Sequence, residues 1–151
     1  MGSFKKIGFI LLVVIAGIQL IPATRNQSDE VSEHDLINNF DVPENIQLIL
    51  KKSCYDCHSN NTNYPWYNKV QPISWILENH INEGKAVLNF NDFGAYSKRK
   101  QKSKLKSIRN QIYDGEMPLY SYTLIHNNAK LSENEKNEIF NWVDKMYNNL
   151  K

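Results

Sequence analysis

The chain is poor in cysteine: its 151 residues hold only Cys54 and Cys57. Two cysteines this close cannot staple a fold, because bridging them would restrain the unfolded chain very little. They cannot build a structural zinc site alone either, since zinc takes four ligands, typically from two such pairs. The remaining candidates, His34, His80 and His126, stand at no zinc-like spacing. An excess of charge is also missing. Lys and Arg number 18 against 16 Asp and Glu, for a net charge of +2, and Lys5 with Lys6 accounts for the whole surplus. The body of the protein is therefore neutral, which argues against a nucleic-acid partner. No stretch alternates at the two-residue period of a strand, and there is no internal repeat or low-complexity tract. What remains is one all-α domain, with length enough for a single real core.

Lys5 and Lys6 precede an apolar run from Ile7 to Ile21, interrupted only by Gln19 and ended by Pro22. Positive charge followed by such a run has the form of an export signal. The run is slightly short for a relaxed membrane-spanning helix of about 20 residues. No small-x-small cleavage site follows, so residues 1–22 are expected to form an uncleaved membrane anchor, with a cleaved signal peptide as the alternative. In either case the lysines stay in the cytoplasm and the remainder crosses. This places the domain on the periplasmic side of a bacterial inner membrane, or free in the periplasm after cleavage.

Residues 23–40 are polar and read as a tether, with the folded domain at 41–151. A helix is expected over 43–57, capped by Asp41 or Val42, with Pro43 in its first turn and Ile46, Ile49 and Leu50 at helical spacing. Pro72 opens a second helix on which Ile73, Leu77, His80, Ile81 and Gly84 share one side. A third runs from about Lys98 to Tyr113, with Leu105, Ile108 and Ile112 as its stripe and Asp114-Gly115 as its stop. Ser132 and Glu135 form a capping box for the last helix, whose stripe is Ile139, Trp142, Val143, Met146 and Leu150. The helices at 43–57 and 132–149 are expected to pack together.

Cys54-Tyr55-Asp56-Cys57-His58 is the motif that carries chemistry. Two thiols at this spacing reach the two vinyl groups on one edge of a haem, and the next residue is then held beneath the iron. The pattern is that of c-type haem attachment. A thioredoxin-like thiol pair is the rival, although that motif follows a strand and no βαβ pattern exists here. For the sixth iron ligand, Met117 stands in a loop within Gly115-Glu116-Met117-Pro118, and its thioether suits haem iron. The bland alternative is a loop methionine filling a gap. His80 is the runner-up, as an axial ligand, a propionate partner or a hydrogen-bonded core histidine. His126 is a candidate for a cap or a haem-edge contact, and His34 for a solvated side chain. Met146 reads as core. Trp66, Tyr67 and Trp75 are expected in the haem-pocket wall or the core. The loop around Tyr64-Pro65-Trp66 is expected to supply the carbonyl that orients His58. Lys98, Arg99, Lys100, Lys102, Lys104, Lys106 and Arg109 form a run without an acid. It is either a solvated helix face or a docking patch for an acidic redox partner or anionic lipid.

Taken in order, the Cys-x-x-Cys-His string, Tyr64-Pro-Trp-Tyr67, Gln71-Pro-Ile-Ser-Trp75, Asn79-His80-Ile81, Leu88-Asn-Phe90, Gly115-Glu-Met117-Pro118 and Tyr122-Thr-Leu-Ile-His126 resemble the bacterial haem-binding domain family. The resemblance covers essentially all of 36–150. It implies one covalently attached haem c and electron transfer, on a variant of the cytochrome c plan in which terminal helices cross and a methionine loop closes the haem. The expectation is thus a carrier with His58 and Met117 on the iron, and not an enzyme. A five-coordinate haem enzyme or gas or redox sensor is the competing class, and a thiol oxidoreductase a third.

Overall fold

The computed structural model describes residues 2–28, 30 and 32–150. Among them every regular element is helical: α1 (Ser3–Ile18), α2 (Leu36–Asn39), α3 (Glu44–Ser53), α4 (Tyr55–His58), α5 (Ile73–Val87), α6 (Lys98–Tyr113), α7 (Tyr120–Ile125) and α8 (Glu133–Asn149). Tight 3-10 turns at Trp66–Lys69, Phe90–Ala95 and Asn127–Ala129 join them.

The apolar stripes decide the packing. Leu105, Ile108 and Ile112 of α6 meet Ile139, Trp142, Val143 and Met146 of α8, and all seven are buried. Ile46, Ile49 and Leu50 of α3 complete this layer, and Phe90 and Phe93 close it from the turn after α5. As expected, α3 packs on α8. Two polar ties fix their register: an ion pair between Lys52 and Glu135, and a hydrogen bond from Asn45 Nδ2 to Glu138 Oε2 at 2.6 Å. The helix ends are held by their own sequence. Ser97 Oγ accepts from Lys100 N–H at the start of α6. Ser132 and Glu135 make the full capping box at the start of α8.

The folded body begins earlier than Asp41. Asp35 caps α2, accepting from Ile37 N–H at 2.8 Å, and Leu36 is completely buried. Asn26 is also buried: its amide donates to Ser59 O at 2.8 Å and Thr62 Oγ1 at 2.9 Å. Asn26, Asp35, Leu36 and Phe40 therefore belong to the folded body and not to a tether. The helix expected over 43–57 is two helices, broken at Cys54, whose ψ of −42° is helical but whose φ of −131° is not. Pro43, not Asp41 or Val42, is its N-cap. Ile73 is 44% exposed, so only the C-terminal half of the expected α5 stripe faces inward.

No described helix is long and apolar enough to cross a membrane. The expected spanning anchor is thus not met: α1 has 16 residues, about 24 Å at 1.5 Å per residue, against a hydrocarbon core of about 30 Å. It buries none of its residues. Its exit is nevertheless fastened to the domain, where Gln19 and Gln71 exchange hydrogen bonds and Ile21 O accepts from Gln71 Nε2 and Trp75 Nε1.

Removing the Ser132 hydroxyl leaves the N-terminus of α8 uncapped. Ser132→Ala is expected to cost about 1 kcal/mol, read as a lower urea midpoint with an unchanged slope.

Candidate functional site

The break at Cys54 turns the chain into the one-turn helix α4, which presents Cys57 and His58 beside Cys54. All three line a single cavity of about 470 Å³, a volume typical of sites for small molecules and cofactors. Met117, His80 and Tyr122 line the same cavity. The rest of its wall is largely apolar, from Val87, Leu88 and Phe90 to Ile108, Ile112 and Leu131. Residues more than 60 positions apart in the chain therefore converge here.

His58 is held by the end of α5. Its Nδ1 lies 3.0 Å from Gly84 O and 2.9 Å from Leu88 O. Carbonyl oxygens can only accept, so Nδ1 carries the proton and Nε2 keeps its lone pair free. Burial disfavours the imidazolium and moves the His58 pKa below its ordinary value, against the opposing pull of the two carbonyls. Gly84 O already receives Leu88 N–H, so the imidazole is a second donor there, whereas Leu88 O, past the last turn of α5, takes its bond from His58. The Tyr64–Trp66 loop does not supply this contact, contrary to expectation. Nearness in sequence suggested that loop, whereas folding brings the C-terminus of α5 against α4 instead.

Gly84 makes the approach possible. A Cβ there would stand 2.8 Å from Cys57 O and 3.4 Å from His58 Cε1. Met117 is placed by a different glycine. Gly115, at φ +75°, reverses the chain after α6 in a conformation that side-chain-bearing residues rarely adopt. Gly115 N–H reaches Ile112 O, and Glu116 N–H and Met117 N–H both reach Gln111 O, the pattern of a Schellman cap continued by one residue. The sulfur-bearing residue is thereby tied to the last turn of α6.

Asp56, between the cysteines, accepts from Tyr122 Oη at 2.6 Å and from Asn63 N–H at 3.1 Å. Tyr122 stacks on His126 at 4.3 Å, and His126 Nε2 is 2.7 Å from Tyr67 Oη. His126 thus lies one layer behind the cavity wall. Trp66, Tyr67 and Trp75 do not line the cavity: Trp66 is 80% exposed, Tyr67 backs His126, and the Trp75 indole is turned to Ile21 O. Aromatic size in 64–75 suggested a wall, but Trp66 is exposed and Tyr67 and Trp75 are only partly buried. Met146 is core and His34 exposed, both as expected. Tyr122, Ser53 and Gly84 had no separate signal in the sequence beyond their neighbours.

Both cysteines are free. Burial pushes the Cys54 thiol up to about 12, with Cys57 adding to the effect, and pushes Cys57 up to about 11, with Asp56 adding. Neither is an activated thiolate at neutral pH.

The fold and the site define an all-helical protein built around one cofactor-sized cavity with thiol, imidazole and thioether groups on its wall. The model of the haem-binding domain family matches residues 13–145, and the chain belongs to that family. A search of curated proteins and a search of solved structures each returned no match. The residues fit a haem. The wall is apolar enough for a macrocycle, the donors suit iron, and Ser53 Oγ is buried on that wall with no hydrogen-bond partner among the described residues.

Two measurements probe this geometry. Alanine normally stabilises a helix by about 1 kcal/mol over glycine. Gly84→Ala is instead expected to destabilise by about 1–3 kcal/mol through the clash with Cys57 O, and to lower haem content, as read by urea unfolding and haem absorbance per chain. In haem-free protein, alkylation of Cys54 and Cys57 is expected to be slower than that of a free cysteine at neutral pH. It should accelerate as pH rises towards 11, because the raised pKa values keep the thiols protonated below that point.

Proposed function

We propose that the chain is an exported monohaem c-type protein that carries single electrons, on a plan like that of cytochrome c. One observation carries this: Cys54, Cys57, His58 and Met117 line one cavity, with the His58 proton committed to Nδ1 and its Nε2 free. In this arrangement Cys54 and Cys57 would hold the haem through thioethers to its two vinyl groups. His58 gives its Nε2 lone pair to the iron, while the carbonyls of Gly84 and Leu88 hold the ring in orientation and raise its basicity. Met117 would offer its thioether sulfur as the other iron ligand, and a Met/His pair raises the potential. Bound there, the haem supplies a one-electron ferric/ferrous couple. Ile108, Ile112, Leu119 and Leu131 keep water from it. Two ligands from the chain would leave the iron no position for a substrate, which favours a carrier over a peroxidase-like enzyme or gas sensor.

The high thiol pKa values speak against a thiol oxidoreductase, which needs a stabilised thiolate. Export is supported by Lys5 and Lys6 ahead of the apolar run. The domain then works on the periplasmic side of the inner membrane, either held near it by α1 or released. The basic run Lys98–Arg109 favours an acidic redox partner. His80 also lines the cavity, which favours a second ligand set, His58 with His80.

A spectrum of protein matured in cells that attach haem c separates these cases. The expected outcome is low-spin haem that stays on the chain through acid–acetone extraction. A weak far-red methionine-to-iron band in the ferric state should vanish in Met117→Ala and persist in His80→Ala. Loss of that band in His80→Ala alone would establish the bis-histidine set. High-spin ferric haem that binds carbon monoxide avidly once reduced would overturn the carrier. Extraction of all haem into the solvent would overturn the covalent attachment.

A further inference from the structure

The haem assigned above carries two carboxylate side chains, and the groups in its attachment and ligation do nothing for them. Burying a carboxylate in a largely apolar cavity is strongly unfavourable unless a cation or donors meet it. The seven basic residues of α6 look alike in sequence, but the fold sorts them. Lys100 lies over the Tyr96 ring at 3.6 Å and Lys102 over the Tyr147 ring at 5.1 Å. Arg109 lies over Phe140 and pairs with Asp144 at 3.3 Å. Lys98, Arg99 and Lys106 are exposed and line no part of the cavity. Lys104 alone among the lysines and arginines lines it, half-buried and without an ion-pair partner among the described residues. Ser107 and Gln111 line it too. At positions i, i+3 and i+7 the three share one face of α6 and offer an ammonium, a hydroxyl and an amide in a row.

We propose that Lys104, with Ser107 and Gln111, forms the subsite that receives the haem carboxylates, so that α6 neutralises the polar edge of the cofactor while α4 holds the vinyl edge. This rests on the haem reading above and goes beyond it by fixing which way the cofactor lies. The other charged wall residue, Glu83 on α5, repels a carboxylate and already accepts from Asn79 Nδ2 at 2.8 Å. The acidic side of the cavity wall is thus α5 and the basic side α6. Most of the basic run is then surface, and one member belongs to the site.

The test compares wild-type holoprotein with Lys104→Met, Lys104→Arg and Lys102→Met, all matured with haem attached. Haem per chain is measured first, on denatured protein. The expected result is equal covalent haem in all four. The carboxylate bending bands in the resonance Raman spectrum should be displaced in Lys104→Met only, with wild-type positions in Lys104→Arg and Lys102→Met. In Lys104→Met the one-electron equilibrium should shift towards ferric haem by up to about tenfold, ~59 mV for a one-electron couple. Bands in Lys104→Met that match those of Lys102→Met and wild type overturn the subsite even if the potential moves, since any cation near the haem affects the potential. Wild-type protein without haem overturns the haem reading itself, and the subsite with it.

Discussion

Everything at this site depends on the contact between the C-terminus of α5 and the one-turn helix α4. Two carbonyls, from Gly84 and Leu88, fix one nitrogen of His58, and the absence of a side chain at Gly84 lets the backbone of Cys57 approach. The imidazole cannot rotate without giving up both carbonyls. The cysteines cannot move apart from it, because they share the same turn of chain. Phe90 meets the His58 ring edge-on and stacks on Tyr55, whose hydroxyl donates to Asp35. That chain of contacts runs from the imidazole to residues well ahead of the motif, which is why the domain needs α2 as well as the obvious helices.

The helices that carry periodic stripes were legible from sequence, and those without were not. Leu105, Ile108 and Ile112, or Ile139, Trp142, Val143 and Met146, repeat at the spacing that burial on a helix demands, so the central pair could be placed with its caps. Leu36 belongs to a helix of four residues, too short to show a period. Asn26 is buried by hydrogen bonds to the loop after His58, and a single asparagine in a polar stretch gives no sign of that. The break at Cys54 was invisible for a related reason: the residues on both sides favour a helix, and the tertiary position of α4 decides the bend.

The site divides the same way. Residues whose chemistry is rare in this chain, two thiols, an imidazole beside them and a methionine between a glycine and a proline, could be named from their order, and the fold brings them to one cavity. Residues of common chemistry could not. Trp66, Tyr67 and Trp75 looked like pocket wall because they are large and aromatic, yet one is exposed and the others serve the layer behind or the segment leaving α1. Lys104 is one lysine among five within nine residues. The carbonyls that orient His58 have no side-chain identity at all, so only the fold could reveal them.

The cavity's composition also sets an order of events. Its wall is assembled from pieces as far apart as Ser53 and Leu131, and contacts between such distant residues form late, after loop-closure entropy has been overcome. Once they have formed, the thiols lie on the wall of a buried cavity and their protons are held tightly. A chain that closes first presents its thiols poorly to any attachment machinery, whereas an open chain presents them well. If haem is attached covalently as proposed, its insertion and folding compete in time, and the same α5–α4 contact that orients His58 ends the interval in which the cysteines are easy to reach.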